Sequence, residues 1–555
     1  MASCTIEKQF DNQQTGQGPS PITQVISQPT PDINQTPRAK FFIFLVLSIV
    51  ALTQAFDATC ICVTLPTIAS ELDATVAESL SLGTTFLLAN TITQPIFSEL
   101  SHVIGRKPAY LAALTVFVSG TIVCGCAQSS LILLIGRTIQ GAGAGGPQAL
   151  SAVILTDLYT LRQRARWVSF LNISWALGTI AGPIIGGAFT QNKDIGWRWV
   201  FWINLPVLGT SAIGVWFLFG YDKPKGRFWH LLAQVDWFGI VLFMVSAVSL
   251  LLPLSWGGSQ FPWKSPQVIT PMIVSVMGFI TLGVFEGWGA KKPMFRPSVF
   301  RNYSTNIQFI NTTIHGILMW MVLYYLSVFY LGVKSFTPVI TGVWALPATL
   351  TVAPMAIVVG IMVSRTGNYR WFLLSGWCLT IVAFGVMILI DEDMPDGALI
   401  AITMVLGIAM GVLIPAMTVG VQATVERSDA KHATAMVYVL RSAGQCLGIA
   451  IGLSVFSSRL QLELEELGHD RDAAKNTMKA IRHSLRTGGL KDIAMLKAVV
   501  TALDCVWVTG CAMAAVAGIL ALCTRCPRLP KDEEDEAPLQ FQAITSSTPG
   551  GGQTK

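Results

Sequence analysis

The chain has 555 residues, of which 52% are hydrophobic and only 12% charged, about half the charged share of a typical soluble domain. A mean hydropathy of +0.57 and repeated apolar runs of about 20 residues exclude a soluble globular protein. The net charge of +6 points to no nucleic-acid partner, because the basic residues sit in short hairpins between apolar runs and form no patch.

Residues 1–39 are rich in Gln, Thr, Pro, Ser and Asn and bury too little apolar surface to offset ordering entropy, so a disordered tail is expected. It lacks the basic start, apolar core and small-residue cleavage site of a signal peptide, so the first apolar run directs insertion. About fourteen spans follow, at roughly 41–67, 80–101, 108–127, 131–156, 167–189, 199–220, 237–256, 269–289, 306–332, 338–363, 370–390, 398–423, 432–457 and 498–523. Lys and Arg concentrate in alternate hairpins: Arg106 and Lys107; Arg162, Arg164 and Arg166; Lys223, Lys225 and Arg227; Lys291, Lys292, Arg296 and Arg301; Arg365 and Arg370; Arg427 and Lys431. The positive-inside rule places these hairpins and both termini in the cytosol. Residues 458–497 break the pattern as a long, basic external loop, either helical over the outer mouth or idle. The acidic run Asp532–Glu536 lies in a second tail, 526–555. Asn34, Asn172, Asn302 and Asn311 begin glycosylation triplets, but none is placed in the lumen.

Cys60, Cys62, Cys124, Cys126, Cys378, Cys446, Cys505 and Cys511 lie inside apolar runs, where cysteine packs as a small hydrophobe. No cysteine cluster has a histidine at zinc-ligand spacing, so no metal is expected. Without a nucleophile–base set or phosphate loop, the chain is not read as an enzyme, and no cofactor is implied.

A faint duplication links Ser98–Lys107 to Gly360–Arg370: small residues recur seven apart, then a glycine turn, then a basic residue. It divides the chain into a six-helix bundle at 40–222, a linker with two extra spans at 223–300, and a second six-helix bundle at 301–525. Such repeats around a central site are a transporter architecture.

Five motifs carry a resemblance over about 41–525. Asp57, Thr59, Leu65 and Pro66 form a first-span signature; Gly105, Arg106 and Lys107 form the core of a loop motif. Leu133, Arg137, Gln140 and Gly141 follow in span four. Gly178, Gly182, Pro183, Gly186 and Gly187 lie in span five. Trp197-Arg198-Trp199 then precedes Ile203-Asn204-Leu205-Pro206. In this order they resemble the major facilitator superfamily, specifically its fourteen-span drug–proton antiporter branch in fungal form. That likeness implies an all-α polytopic fold of two six-helix bundles with two linker helices, about 14 spans in all. The chain departs from the loop motif: His102 stands where the family has an acid, and Ser98 replaces the leading glycine. Glu99, three residues earlier on the same helical face, either supplies the missing carboxylate or is merely solvated.

Asp57 and Arg137 fall at similar depth, so their side chains can meet. Burial favours the neutral acid and a nearby guanidinium the anion. The pair is therefore either a proton carrier with its tuning partner or a fixed structural ion pair. Asn90, Gln94 and Gln140 complete a polar interior or serve as packing glue. Arg441 and Asp504 are a second candidate buried pair, and His315 is a lone intramembrane histidine. The Gly178–Gly187 stripe suits a helix contact at the interface between halves, sliding or static, with Gly444, Gly448 and Gly452 as its counterpart. Arg106 and Lys107 with Asp157 and Arg166 form a charge latch or only set topology. Trp175, Trp320, Tyr324, Trp344, Trp377 and Tyr438 are candidates to line an apolar cavity for amphiphilic solutes.

The function expected is proton-coupled export of small amphiphilic compounds such as toxins, drugs or secondary metabolites, driven by the proton gradient. The partners are the solute, protons and the bilayer, with a monomer expected. The plasma membrane is the expected location, and a vacuolar or vesicle membrane the alternative. A proton-linked uptake permease, for instance for iron chelates, and a non-transporting sensor remain open.

Overall fold

The computed structural model describes residues 36–72, 76–159, 161–192, 194–220, 233, 235–257, 261–290, 293–466 and 493–527. Among these it is helical, with no β-strand. The tails expected at 1–35 and beyond Pro527, the basic hairpin at 223–227 and the middle of the 458–497 loop lie outside the described residues.

Helix α1 (Pro37–Glu71) starts within the stretch expected to be a tail. Thr36 accepts the Ala39 backbone N–H at 3.4 Å, and Pro37 sits at the first helical position, where its missing N–H is harmless. Helices α2 (Val76–Ile104) and α3 (Arg106–Gly125) meet at Gly105. There φ is 96°, a left-handed value that glycine adopts without penalty. Helices α4 (Ser130–Leu158) and α5 (Leu161–Gln191) follow. The sixth span comprises α6 (Trp199–Trp202) and α7 (Asn204–Leu218), joined at Ile203 with helical backbone angles, φ −62° and ψ −25°.

The linker helices are α8 (Trp237–Trp256), capped by the Asp236 carboxylate, and α9 (Pro266–Val284), which closes in a π-turn, Phe285–Gly289. The second set comprises α10 (Tyr303–Val328), α11 (Pro338–Trp344), α12 (Leu346–Thr366), α13 (Arg370–Met387), α14 (Asp396–Thr424), α15 (Ala430–Glu466) and α16 (Ile493–Leu522). The expected 338–363 span is thus two helices, interrupted at Ala345 just before Pro347. Loop 458–497 is shorter than expected, because α15 runs on to Glu466, supported by an Arg459–Glu463 pair at 2.5 Å, and α16 begins at Ile493.

Among the described residues, 12 helical segments are long and apolar enough to cross a membrane. Helices α2 and α4 are as long, at 29 residues each, but are more polar. Asn90, Gln94, Arg137 and Gln140 lie on them and are all buried, so their polarity faces protein.

Two sets of seven helices, α1–α7 and α10–α16, each corresponding to six expected spans, repeat one packing pattern. In the first set α1 packs on α5, α2 on α4, α3 on α4 and α1 on α7; in the second α10 packs on α15, α12 on α14, α13 on α14 and α10 on α16. Gly367 turns between α12 and α13 with φ 67°, the counterpart of Gly105. The sets meet crosswise, α5 against α11 and α12, and α15 against α2 and α4. Helices α8 and α9 pack on each other, and α8 leans on α15 and α2. Outward faces remain apolar, with Phe217 79% and Ile280 63% exposed, as a lipid-facing surface requires.

Candidate transport site

The Arg106, Lys107 and Lys431 end of the bundle is called the basic end below. Asp57 lies 20 residues along α1 from Pro37, and Arg137 lies 21 residues before Leu158 on α4. At 1.5 Å per residue both stand about 30 Å from the basic end. They meet: Arg137 Nη1 donates to Asp57 Oδ2 at 2.6 Å. Gln140 and Asn204 donate to Asp57 Oδ1 at 3.0 and 3.1 Å. Gln140 also donates to Thr121 Oγ1 at 3.0 Å and accepts from Arg137 Nη1 at 2.8 Å. The Phe86 ring covers the guanidinium, 4.2 Å from its central carbon. Asp57, Thr121 and Gln140 are fully buried, Arg137 is 1% exposed and Asn204 2%. The pair is enclosed by protein rather than set in an open vestibule.

Glycine packing brings α1 to its place. A Cβ on Gly178 would stand 2.1 Å from the Leu52 carbonyl oxygen, and one on Gly182 2.2 Å from Thr59 Oγ1. The stripe therefore faces α1 within its own set, which corrects its expected place at the interface between halves. Pro183 and Ile184 approach Gly342 of the other set instead, while Gly187 is buried with the stripe. Gly444 and Gly448 likewise press on the Thr313 and Ile317 carbonyls of α10. The fifth span of each set thus packs by glycines onto the first.

At the basic end Asp157 joins the sets. Its Oδ2 lies 3.2 Å from Arg106 Nε and its Oδ1 2.6 Å from Lys431 Nζ on α15. Arg106 also reaches Ser101 Oγ and lies 3.3 Å from His102 Nδ1. The His102 ring stacks on His432 of the other set, centroids 4.6 Å apart. The carboxylate serving Arg106 is thus Asp157, not Glu99, which lines a pocket toward Met294 and Met436. Lys107 lies over Trp216 instead, 5.2 Å from its ring centroid, and Arg166 lies over Phe170.

An apolar cavity opens between the sets, lined by Trp175 and Thr179 of α5, Trp320 and Leu323 of α10, and Met410 of α14. Asn90 and Gln94 donate to Ser442 of α15 at 3.4 and 2.7 Å, holding α2 to the other set. Tyr324 stands behind Trp320, ring centroids 5.7 Å apart. Trp344 packs on Phe336, and Trp377 is sealed in the second set's core.

A family model described as Major Facilitator Superfamily matches residues 47–452. The chain belongs to this superfamily. It is 38% identical to "MFS transporter L2" of Phoma sp. (strain ATCC 20986 / MF5453), over 85% of this chain and 80% of that protein. It is 30% identical to "Efflux pump FUS6" of Gibberella fujikuroi, over 80% of each. The solved human organic anion transporter MFSD10 shares the fold at a TM-score of 0.57 and 13% identity, covering 88% of this chain and 100% of that one.

Set in this superfamily fold, two site expectations change. Gln140, expected in the cavity, belongs to the Asp57 cluster, because it lies three residues from Arg137 on the same helical face. Arg441 and Asp504 do not pair. Arg441 stands about 16 Å from the basic end and Asp504 about 27 Å at helical rise, too far apart even for an arginine. Asn204, Thr121, Lys431 and His432 join the site without a sequence signal of their own for it: Asn204 lies inside the sixth-span motif, and Lys431 signals only topology. Cys523 and Cys526, a Cys-x-x-Cys spacing at the end of α16, are both free thiols.

Proposed function

We propose that the chain exports small amphiphilic organic compounds in exchange for protons. The carrying observation is a carboxylate, Asp57, held inside protein by one guanidinium and two amides, with the apolar cavity between the sets. Relatives named as efflux pumps support the direction. In this reading Asp57 takes up a proton when the outer side opens. The neutral acid keeps its two amide donors, and Arg137 keeps Gln140 Oε1 and the Phe86 face. The guanidinium is therefore not stranded when the ion pair breaks. Once the solute has left outside, the proton-loaded bundle returns to the inward-open state, where Asp57 releases the proton and re-forms its pair with Arg137. One proton moving down 100 mV yields about 2.3 kcal/mol, and each pH unit adds about 1.4 kcal/mol.

The same reading counts α2 and α4 as crossings, making fourteen, and divides the chain at about 40–222, 223–300 and 301–525. It puts the basic end and both termini in the cytosol, and a monomer in the plasma membrane. No cofactor enters; the proton gradient is the energy source. Flux of labelled solute in vesicles of known sidedness, with and without a proton gradient, tests it. Proton-dependent outward movement is expected. Inward movement would make the chain an uptake permease, and binding without movement a sensor.

A further inference from the structure

Among the described residues Arg441 is the other deeply buried cation, and the proton-coupling reading does not use it. It is 7% exposed, and its Nε and Nη2 have no hydrogen-bond partner. Among the described residues no carboxylate lies within ion-pair distance of it; Asp504, its expected partner, has an unsatisfied Oδ1 elsewhere. The nearest compensation is the Tyr438 ring, 5.7 Å from the guanidinium carbon, which covers a face and leaves the forked edge.

The groups around it are short of donors. Ser442, the next residue, accepts N–H bonds from Gln94 and Asn90, while Gln94 Oε1 and Asn90 Oδ1 are buried without partners. His315 Nε2 lies 3.2 Å from the Met410 carbonyl, which only accepts, so that nitrogen carries the proton and Nδ1 is an acceptor. That Nδ1 is buried and unsatisfied too. Arg441 and His315 flank one helix contact, where a Cβ on Gly316 would stand 2.3 Å from the Arg441 carbonyl oxygen, and Met410, whose carbonyl His315 holds, lines the apolar cavity. By helical rise His315 stands about 18 Å and Trp320 about 25 Å from the basic end, and Arg441 about 16 Å. Asp57, at about 30 Å, is a separate level.

We propose that Arg441 anchors an anionic group of the exported molecule, and that the substrates are amphiphilic organic acids: a carboxylate or ionised enol on an apolar body. This rests on the export reading. A planar guanidinium fork matches a carboxylate in two hydrogen bonds. An unpaired cation in a low-dielectric interior draws an anion far more strongly than it would in water. The free acceptors of His315, Asn90 and Gln94 suit hydroxyl or amide N–H groups on the same molecule, and Trp175 and Trp320 its apolar part.

The test uses purified full-length protein and two probes of one shape, 1-pyrenebutyrate and 1-pyrenebutanol, with binding read by quenching of tryptophan emission. The acid is expected to bind about tenfold or more tighter than the alcohol, one charge-assisted contact's worth. Arg441→Gln loses that preference with alcohol affinity unchanged, and Arg441→Lys keeps part of it. Ligand-free Arg441→Gln melts no lower than the parent, because no native partner is orphaned. Equal binding of both probes, no binding of the acid, a preference that survives Arg441→Gln, or a lowered melting temperature each overturns the assignment. If vesicles still export a neutral dye in a proton-dependent way, only the anion assignment has failed. If they export nothing, the transport reading fails by itself.

Discussion

Arg137 Nη1 lies 2.6 Å from Asp57 Oδ2, and neither residue is more than 1% exposed. Removing the guanidinium strands the buried carboxylate without a counter-charge. Arg137→Ala is expected to cost about 3–5 kcal/mol of stability, read as a lowered melting temperature in detergent. Asp57→Asn is expected to abolish proton-driven export while sparing downhill exchange. The double variant Asp57→Asn/Arg137→Gln should recover part of the lost stability, since both charges go together. Full proton-dependent transport by Asp57→Asn would remove the carboxylate from the coupling step.

The α1–α5 contact has no room for a side chain. Gly178→Ala puts a methyl group 2.1 Å from the Leu52 carbonyl oxygen, so the helices must part. Overpacking of this kind costs about 1–3 kcal/mol. Gly209→Ala, with nothing within 4 Å, is the matched control and should be neutral. Thermal unfolding of both variants decides it; equal melting temperatures would mean that the stripe is not in tight contact.

What the sequence made legible follows from depth and scarcity. Charges in apolar runs are few, and helical rise alone put Asp57 and Arg137 at one level. The same arithmetic applied to Arg441 and Asp504 already gave unequal depths, and helix rotation completed the separation. Rotation is what a single sequence leaves open. It turned the Gly178 stripe toward α1 and gave Gln140 to Asp57 instead of the cavity. Asn204 reaches Asp57 from the sixth span, and no periodicity marks which of that span's residues faces the first.

The Asp157–Lys431 pair spans the two sets at 2.6 Å, while Asp157 also holds Arg106. Both partners are partly exposed, Lys431 by 30%, so the pair contributes little to global stability but ties the two sets together at the basic end. Lys431→Glu places two carboxylates together and should open that end. Spin labels at 166 and 428 on a cysteine-free background should show a wider distance distribution than the parent. An unchanged distribution would reduce these charges to setting topology.

Asn204 gives the most direct test of the Asp57 cluster, because it touches the carboxylate without carrying charge. It donates to Asp57 Oδ1 at 3.1 Å and is 2% exposed. Asn204→Leu keeps the branching at Cγ and removes one of the three donors on the carboxylate. A hydrogen bond to a charged group is worth about 1.5–3 kcal/mol, so a melting shift of that size is expected. Proton-driven export should fall by about tenfold or more by the same scale. Asn204→Gln does not rescue, because the longer side chain cannot reach the oxygen from the same backbone position. A purely structural asparagine would lower the melting temperature yet leave the pH dependence of export in the surviving folded protein unmoved. A coupling residue moves both.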